Sequence, residues 1–245
     1  MILVKGELVR LNKYGVFSIS ILVSFIWGVV LFLVSENVLA AILPMVLLLD
    51  ATMMSVMYIG AEMHFEKSES TISTMLVSPV SNNQLVMSKV IANLIHNLFS
   101  SSLIIGVFFI ASTFEVIPDL GMNIFLLLFG VLLITATFTI AGLVLSYYQK
   151  DFTGMLVNMF TLVIFLMLPA ILMMFGILKG ELWENVMLAN PFQAAQELIA
   201  AGFSTYEFTY AYYVSLGYML LGGLALFFFL AIPKFQDYAV KQSGV

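Results

Sequence analysis

Long apolar stretches separated by short polar segments dominate the hydropathy pattern of this chain. A helix that crosses a membrane needs about 20 consecutive, mostly apolar residues. Six stretches meet that length: residues 16–35, 39–60, 86–112, 122–147, 154–178 and 209–232. The pattern predicts an all-α polytopic membrane protein with six transmembrane helices, in which residues 1–245 form a single transmembrane domain.

The polar segments that flank the first and third spans predict two further helical features. Residues 1–15 mix apolar side chains with Lys5, Arg10 and Lys13, a composition typical of a helix that lies at a membrane surface. Ser81 with Gln84 three residues later forms a capping-box pattern, so we expect the third helix to begin near Asn82.

The segment between the fifth and sixth spans predicts short helices at the extracellular surface. Asn190 followed by Pro191 is a favourable helix start, and Gly202 occupies a position suited to a C-terminal cap. We therefore expect a helix over residues 191–201 within a re-entrant segment, residues 179–206. Pro169 should bend or locally unwind the fifth span.

The distribution of basic residues predicts the orientation, because loops rich in Lys and Arg stay in the cytoplasm. With both termini cytoplasmic, only Lys179 of the nine basic residues lies outside. The other eight lie inside: Lys5, Arg10, Lys13, Lys67, Lys89, Lys150, Lys234 and Lys241.

The composition excludes several classes of protein. With 62% hydrophobic and 9% charged residues, the chain is far more apolar than a soluble domain. It contains no Cys, carries a net charge of −5 and lacks a basic cluster, which argues against thiol chemistry and nucleic acid binding. Neither a phosphate-binding loop nor an H-E-x-x-H pair occurs. We predict a non-enzymatic chain without its own metal or cofactor.

One carboxylate lies near the middle of a predicted span. Asp50 is costly at bilayer depth, so it must face protein, water or a cation, or be protonated. Two interpretations remain open: a structural group bonded within the bundle near Thr52 and Ser55, or a group that lines a transport pathway. Asn93 and Asn97 of the third span are candidate pathway residues alongside it.

The polar interval from Phe65 to Lys89 carries a resemblance to a known family. In order, it contains Glu66-Lys67, Ser70-Thr71, Met75-Leu76-Val77, Ser78-Pro79 and Lys89. This order resembles the loop between the second and third spans of type-2 ATP-binding-cassette exporter permeases, although Ser70 stands where that family usually has Gly. The Asn190-Pro191-Phe192 step and the number of spans are also similar.

The resemblance implies a division of labour between subunits. It implies that residues 61–82 form a cytoplasmic coupling loop that docks a separate ATP-binding-cassette ATPase, which would bind ATP and Mg²⁺. The implied coupling residues are Glu66, Lys67, Glu69, Ser70, Thr71, Met75 and Leu76. The N-terminal helix would make a second contact with that ATPase.

The resemblance also implies a setting and a cargo. The chain would pair with a second permease subunit, identical or similar, in a bacterial plasma membrane. Its cargo would be an amphipathic peptide, an antimicrobial or a drug-like molecule, taken from the cytoplasm or inner leaflet. The family suggests pairing through the first and fifth spans, whereas Gly142 and Ser146 offer a small-residue surface for close helix approach. The alternative function is an ATP-independent secondary transporter or a membrane receptor component.

Overall fold

The computed structural model describes residues 2–34, 36–69, 71, 80–114, 119–149, 151–174 and 176–243. Helices form most of this part of the chain. In order they are α1 (Ile2–Lys13), α2 (Val16–Leu33), α3 (Glu36–Leu49), α4 (Ser55–Ser68), α5 (Asn82–Thr113), α6 (Ile124–Ser146), α7 (Phe152–Met174), α8 (Glu181–Met187), α9 (Pro191–Ala200), α10 (Tyr210–Leu226) and α11 (Ile232–Ser243). Two π-helical turns, Asp50–Met54 and Phe227–Ala231, join α3 to α4 and α10 to α11.

Six of the described helical segments are long and apolar enough to cross a membrane, which confirms the predicted all-α, multi-pass fold. They are Val16–Leu33, Ile42–Ser68, Asn82–Thr113, Ile124–Ser146, Phe152–Met173 and Tyr210–Lys241. Within the described ranges, the β-structure is a single isolated bridge between Met122 and Phe203.

The predicted helix starts are confirmed by their caps. Ser81 Oγ accepts from the Gln84 backbone N–H, while the Gln84 side chain accepts from the Ser81 N–H, so both halves of the capping box form. Asn190 Oδ1 accepts from the Phe192 N–H at 2.9 Å, with Pro191 at the first position of α9. Local sequence chemistry therefore determines where α5 and α9 begin.

The second span runs further than its hydropathy suggests. Residues 61–68, which the sequence analysis placed in the coupling loop, continue the helix of α4 to Ser68. This segment contains Glu62 and Glu66, which made it look like a loop. The helix continues because both acids are buried against basic side chains of the same protein.

Helix α6 lies at the centre of the bundle, where it packs against α4, α5, α9 and α10. Gly142 permits the close approach of α4 to α6, because a Cβ atom there would lie 2.9 Å from Val56 Cα and 2.8 Å from the Ile59 side chain. Ser146 donates to the Gly142 carbonyl at 2.7 Å. The close helix approach predicted at Gly142 and Ser146 therefore occurs between α4 and α6 of one chain.

Helix α9 packs among α3, α6, α7 and α10. It buries Phe192, Ala195 and Leu198. Gly130 of α6 lets it approach, since a Cβ there would lie 2.8 Å from the Leu198 carbonyl oxygen. The missing side chain at Gly130 therefore lets the backbone of α9 lie directly against α6.

Gly202 and Pro169 both lie at the end of the bundle that holds α9. Gly202 follows α9 but is not among the described glycines with positive φ; its hydrogen atom instead leaves room for the Leu127 side chain. Pro169 lies inside α7 without ending it, and Asn190 Nδ2 donates to the Leu166 carbonyl of that helix at 2.8 Å. A neighbouring segment thus satisfies a carbonyl one turn before the proline, as bonding across helices allows.

Candidate functional site

A buried lysine organises the end of the bundle where α1, α4 and α5 meet. Lys89 lies in the second turn of α5 and is 0% exposed. Its Nζ is 3.3 Å from Glu62 Oε1 and 3.4 Å from both carboxylate oxygens of Glu7, and it also pairs with Glu66. Glu7, Arg10, Glu62, Glu66 and Lys89 together are called the charge cluster below.

Helical periodicity explains how these residues come together. Glu62 and Glu66 are four residues apart on α4 and therefore share a face. Glu7 and Arg10 are three residues apart on α1, and Arg10 Nη1 lies 3.2 Å from Glu7 Oε2 while also pairing with Glu66. The charge cluster thus fastens α1 to the last turns of α4 and to the start of α5.

A second, exposed contact lies further out on the same two helices. Lys13 Nζ is 3.1 Å from Glu69 Oε1, and Tyr14 Oη donates to Glu69 Oε2 at 2.9 Å. The hydrogen bond from Lys13, followed by that from Tyr14, lowers the pKa of Glu69 below its usual value. Partial burial, with the bond to Glu69, raises the pKa of Tyr14. The end of α1 is therefore anchored beside the residues that lead into segment 70–79.

Five further polar residues continue along the same face of α5. These are Asn93, His96, Asn97, Ser100 and Ser101, all 0% exposed, and they are called the polar stripe below. With Lys89 they recur every three to four residues, which is one helix face. At 1.5 Å per residue, the line from Lys89 to Ser101 spans about 18 Å of helix, more than half of a hydrocarbon core.

Neighbouring helices supply the partners of the polar stripe. Asn93 Nδ2 donates to the Ser55 carbonyl at 3.0 Å and to Thr139 Oγ1 at 2.9 Å. His96 Nε2 is 2.7 Å from Ser20 Oγ, which lies 2.9 Å from Tyr58 Oη. The polar stripe therefore joins α2, α4 and α6 to α5 through hydrogen bonds inside the bundle.

Asp50 occupies the far end of the polar stripe. Ser100 donates to Asp50 Oδ1 at 3.0 Å and Ser101 to Oδ2 at 2.6 Å. The sequence analysis named Thr52 and Ser55 as its neighbours, but these hydroxyls donate to the Leu48 and Ala51 carbonyls of their own helix. A π-helical turn holds Asp50, and such turns are frequent at functional positions.

The predicted coupling residues fall into three groups. Glu66 is fully buried in the charge cluster, so in this structure its charge serves the bundle rather than a soluble surface. Lys67 Nζ lies 3.5 Å from the Gln149 carbonyl oxygen, Glu69 is exposed and Thr71 donates to the Glu66 carbonyl at 3.2 Å. Ser70, Met75 and Leu76 lie outside the described residues.

The candidate pathway residues Asp50, Asn93 and Asn97 are all buried, with at most 1% exposure. A cavity of about 330 Å³ lies elsewhere, between α3, α7 and α9, and its wall includes Pro44, Met167 and Phe192. In this structure, Asp50 and Asn93 connect helices to one another, whereas Asn97 Nδ2 donates within α5 to the Asn93 carbonyl and to Asn93 Oδ1, both at 2.9 Å.

The sequence alone did not predict that Glu7, Arg10, Glu62 and Lys89 form one unit. Two features of the sequence were consistent with it: two acids one helical turn apart follow the apolar part of the second span, and a lysine lies near the start of the third span. One oxygen from each of Glu7, Glu62 and Glu66 lies within 4.8 Å of the others, which is close enough to hold a cation. The Lys89 ammonium group already lies among them.

Comparison with protein-family models and with curated proteins finds no significant match to this chain. Its class therefore follows from its own architecture. The fold defines a multi-pass helical membrane protein with six apolar spans and charged residues buried at one end.

Proposed function

We propose that this chain is the permease subunit of an ATP-driven exporter, and that a separate subunit hydrolyses the ATP. The observation that carries the proposal is the attachment of α1 to the last turns of α4 and the start of α5 through the charge cluster. Segment 70–79 lies between those two helices in sequence. A soluble subunit bound to that segment would act on α1, α4 and α5 together.

Rigid helix movement follows from this attachment. Breaking a buried ion pair is strongly unfavourable, so displacement of the segment would move the three helices as a body rather than separate them. The polar stripe and the close contact at Gly142 would then pass the movement to α2 and α6. Small displacements amplified by rigid elements are a common form of switching.

The assembly would contain two permease subunits with two ATPases. The spans Val16–Leu33, Phe152–Met173 and Tyr210–Lys241 are the least buried within the chain, which leaves apolar area for a second subunit or lipid. We place the protein in a bacterial plasma membrane with both termini cytoplasmic, following the basic residues. Glu69, Lys67 and Thr71 remain the proposed contact residues, with Ser70, Met75 and Leu76 next to them.

The proposed cargo is an amphipathic peptide, an antimicrobial or a drug-like molecule. The exposed faces of the spans are apolar, and the 330 Å³ cavity between α3, α7 and α9 has a mainly apolar wall. Such surfaces accommodate cargo that enters from the lipid phase better than a strongly hydrated sugar.

Co-purification tests the proposal. The tagged chain should bring down a nucleotide-binding subunit encoded beside it, and the pair should hydrolyse ATP faster when a transported peptide or drug is added. The chain reconstituted alone should not transport. Transport by the chain alone, driven by an ion gradient, would overturn the proposal.

A second candidate is an ATP-independent secondary transporter, which the buried ionisable residues favour. Such transporters carry intramembrane charges that bind protons or ions. Asp50, Glu62, Glu66, Lys89 and His96 all lie within the apolar helical segments. Gradient-driven uptake in vesicles without nucleotide would select this function.

A further inference from the structure

The charge cluster contains more acidic than basic groups. If Glu7, Glu62 and Glu66 were all ionised, they would carry three negative charges against one positive charge each on Lys89 and Arg10. The three acids are at most 1% exposed. An uncompensated charge in such a place is strongly unfavourable, and a buried group usually changes its protonation state instead.

Two carboxyl oxygen atoms of the charge cluster have no described hydrogen-bond partner, which indicates where a neutralising group binds. Glu62 Oε2 and Glu66 Oε2 are buried and have no hydrogen-bond partner among the described residues. One carboxyl oxygen of Glu62 lies within 4.8 Å of one carboxyl oxygen of Glu7. Two carboxylates at that separation repel each other, whereas a carboxyl and a carboxylate do not.

The described ion pairs of Glu7, Glu62 and Glu66 are made with Lys89 and Arg10. Tyr14, Tyr147 and Tyr238 are the other titratable groups near these charges, and phenols are neutral at physiological pH. The Lys13–Glu69 pair lies further out and is balanced within itself. The titratable groups that face the site are Glu7, Arg10 and Tyr14 of the N-terminal region, Glu62 and Glu66 of α4, Lys89 of α5, Tyr147 after α6, and Tyr238 of α11.

We propose that the charge cluster is a proton-binding site: Glu62, whose Oε2 has no other described partner, holds one exchangeable proton, and the attachment of α1 to the bundle depends on it. Glu66 stays ionised because both Lys89 and Arg10 pair with it. Binding converts one carboxylate and a proton from water into a carboxylic acid, and no other bond changes. Loss of the proton leaves Glu7 of α1 facing Glu62 of α4 as like charges. This inference does not depend on the proposed function.

A metal ion fits the same place less well. A divalent cation needs the carboxylate oxygens that the Lys89 ammonium group already contacts. A proton needs only one oxygen that has no other partner, and the cluster provides such atoms.

Infrared spectroscopy of the purified full-length chain in lipid nanodiscs tests the site directly. The wild type should show the C=O band of a buried carboxylic acid at neutral pH, and raising the pH should convert it to a carboxylate band. Glu62→Gln and Glu7→Gln should each lose this pH-dependent band, because removal of one acid balances the charges. Asp50→Asn is the matched control and should keep it.

Thermal melting of the same samples gives an independent measure. The folded chain would hold a proton that the unfolded chain releases above about pH 4.3, so stability should fall as pH rises from 5 until the cluster loses its proton. The unfolding equilibrium constant should rise about tenfold per pH unit for one proton. This slope should flatten in Glu62→Gln and Glu7→Gln.

Several outcomes would overturn the inference. One is a carboxylic acid band that persists in both glutamine variants but disappears in Asp50→Asn. Another is a melting temperature whose pH slope is the same in wild type and variants. Stabilisation by millimolar Ca²⁺ or Mg²⁺ that Glu62→Gln abolishes would assign the site to a metal ion instead of a proton.

Discussion

The charge cluster and the Asp50 site both bury carboxyl groups, but they satisfy them in different ways. At the charge cluster, acids from α1 and α4 meet cations from α1 and α5. At Asp50, both oxygens accept hydrogen bonds from serine hydroxyls of one helix, α5. Ion pairs at the charge cluster hold α1, α4 and α5 together, whereas hydrogen bonds from neutral hydroxyl groups hold the Asp50 turn to α5. Loss of a partner should therefore be much more costly at the charge cluster.

The largest effect should follow from removing the buried cation. Lys89→Met leaves three buried carboxyl groups with Arg10 alone, and breaking a buried ion pair in this way costs about 3–5 kcal/mol. The melting temperature should fall strongly. Lys5→Met, at an exposed position of α1, is the control and should change the melting temperature little. Equal melting temperatures for the two variants would show that the charge cluster does not stabilise the fold.

Asp50 should show an intermediate effect. Asp50→Leu leaves the Ser100 and Ser101 hydroxyls without their acceptor, so the free energy of unfolding should fall by about 2 kcal/mol. Asp50→Asn keeps one acceptor oxygen and should lose less. Melting temperature and cargo-stimulated ATPase activity would be measured on both. If Asp50→Asn changes the response to cationic cargo while stability is unchanged, Asp50 lines a pathway instead.

A smaller effect should distinguish backbone packing from both polar sites. Gly142→Ala places a Cβ atom 2.9 Å from Val56 Cα, so α4 and α6 must separate. We expect the free energy of unfolding to fall by about 1 kcal/mol or more, although alanine has a higher helix propensity than glycine. Gly217→Ala is the matched control, since a Cβ there meets nothing within 4 Å, and it should stabilise slightly. The same sign of change in both variants would contradict the close contact.

The smallest effect should come from the exposed pair beside the charge cluster. The pKa of Glu69 is lowered by Lys13 and Tyr14, so its contribution to stability is present above about pH 4.3 and lost as pH falls through the lower value of the folded state. The protection factors for hydrogen exchange of residues 2–13, which correct for the intrinsic pH dependence of exchange, should therefore fall at low pH in the wild type. Glu69→Gln should show the lower protection factors at neutral pH already. No difference between the two proteins at neutral pH would show that the pair does not hold α1.

The sequence predicted features that depend on local chemistry. Hydropathy found the six spans, and Ser81 and Asn190 located the starts of α5 and α9 because a cap acts within one turn. It did not predict the charge cluster, because Glu7, Glu62 and Lys89 are far apart in sequence and meet only after helices pack. For the same reason, the sequence did not predict the partners of Asp50, which lie about fifty positions away. Nor did it predict which helix approaches Gly142, since that neighbour is distant in the same chain.

Binding of the ATPase subunit to segment 70–79 is the central functional claim, and one pull-down tests it most directly. Residues 72–77 would be replaced by a Gly-Ser sequence of equal length in the tagged full-length chain, with Asp50→Asn as a matched control. We predict that the nucleotide-binding subunit co-purifies with the wild type and with Asp50→Asn but not with the replaced segment. Retention of that subunit by the replaced chain, or its absence from the wild type, would contradict the account.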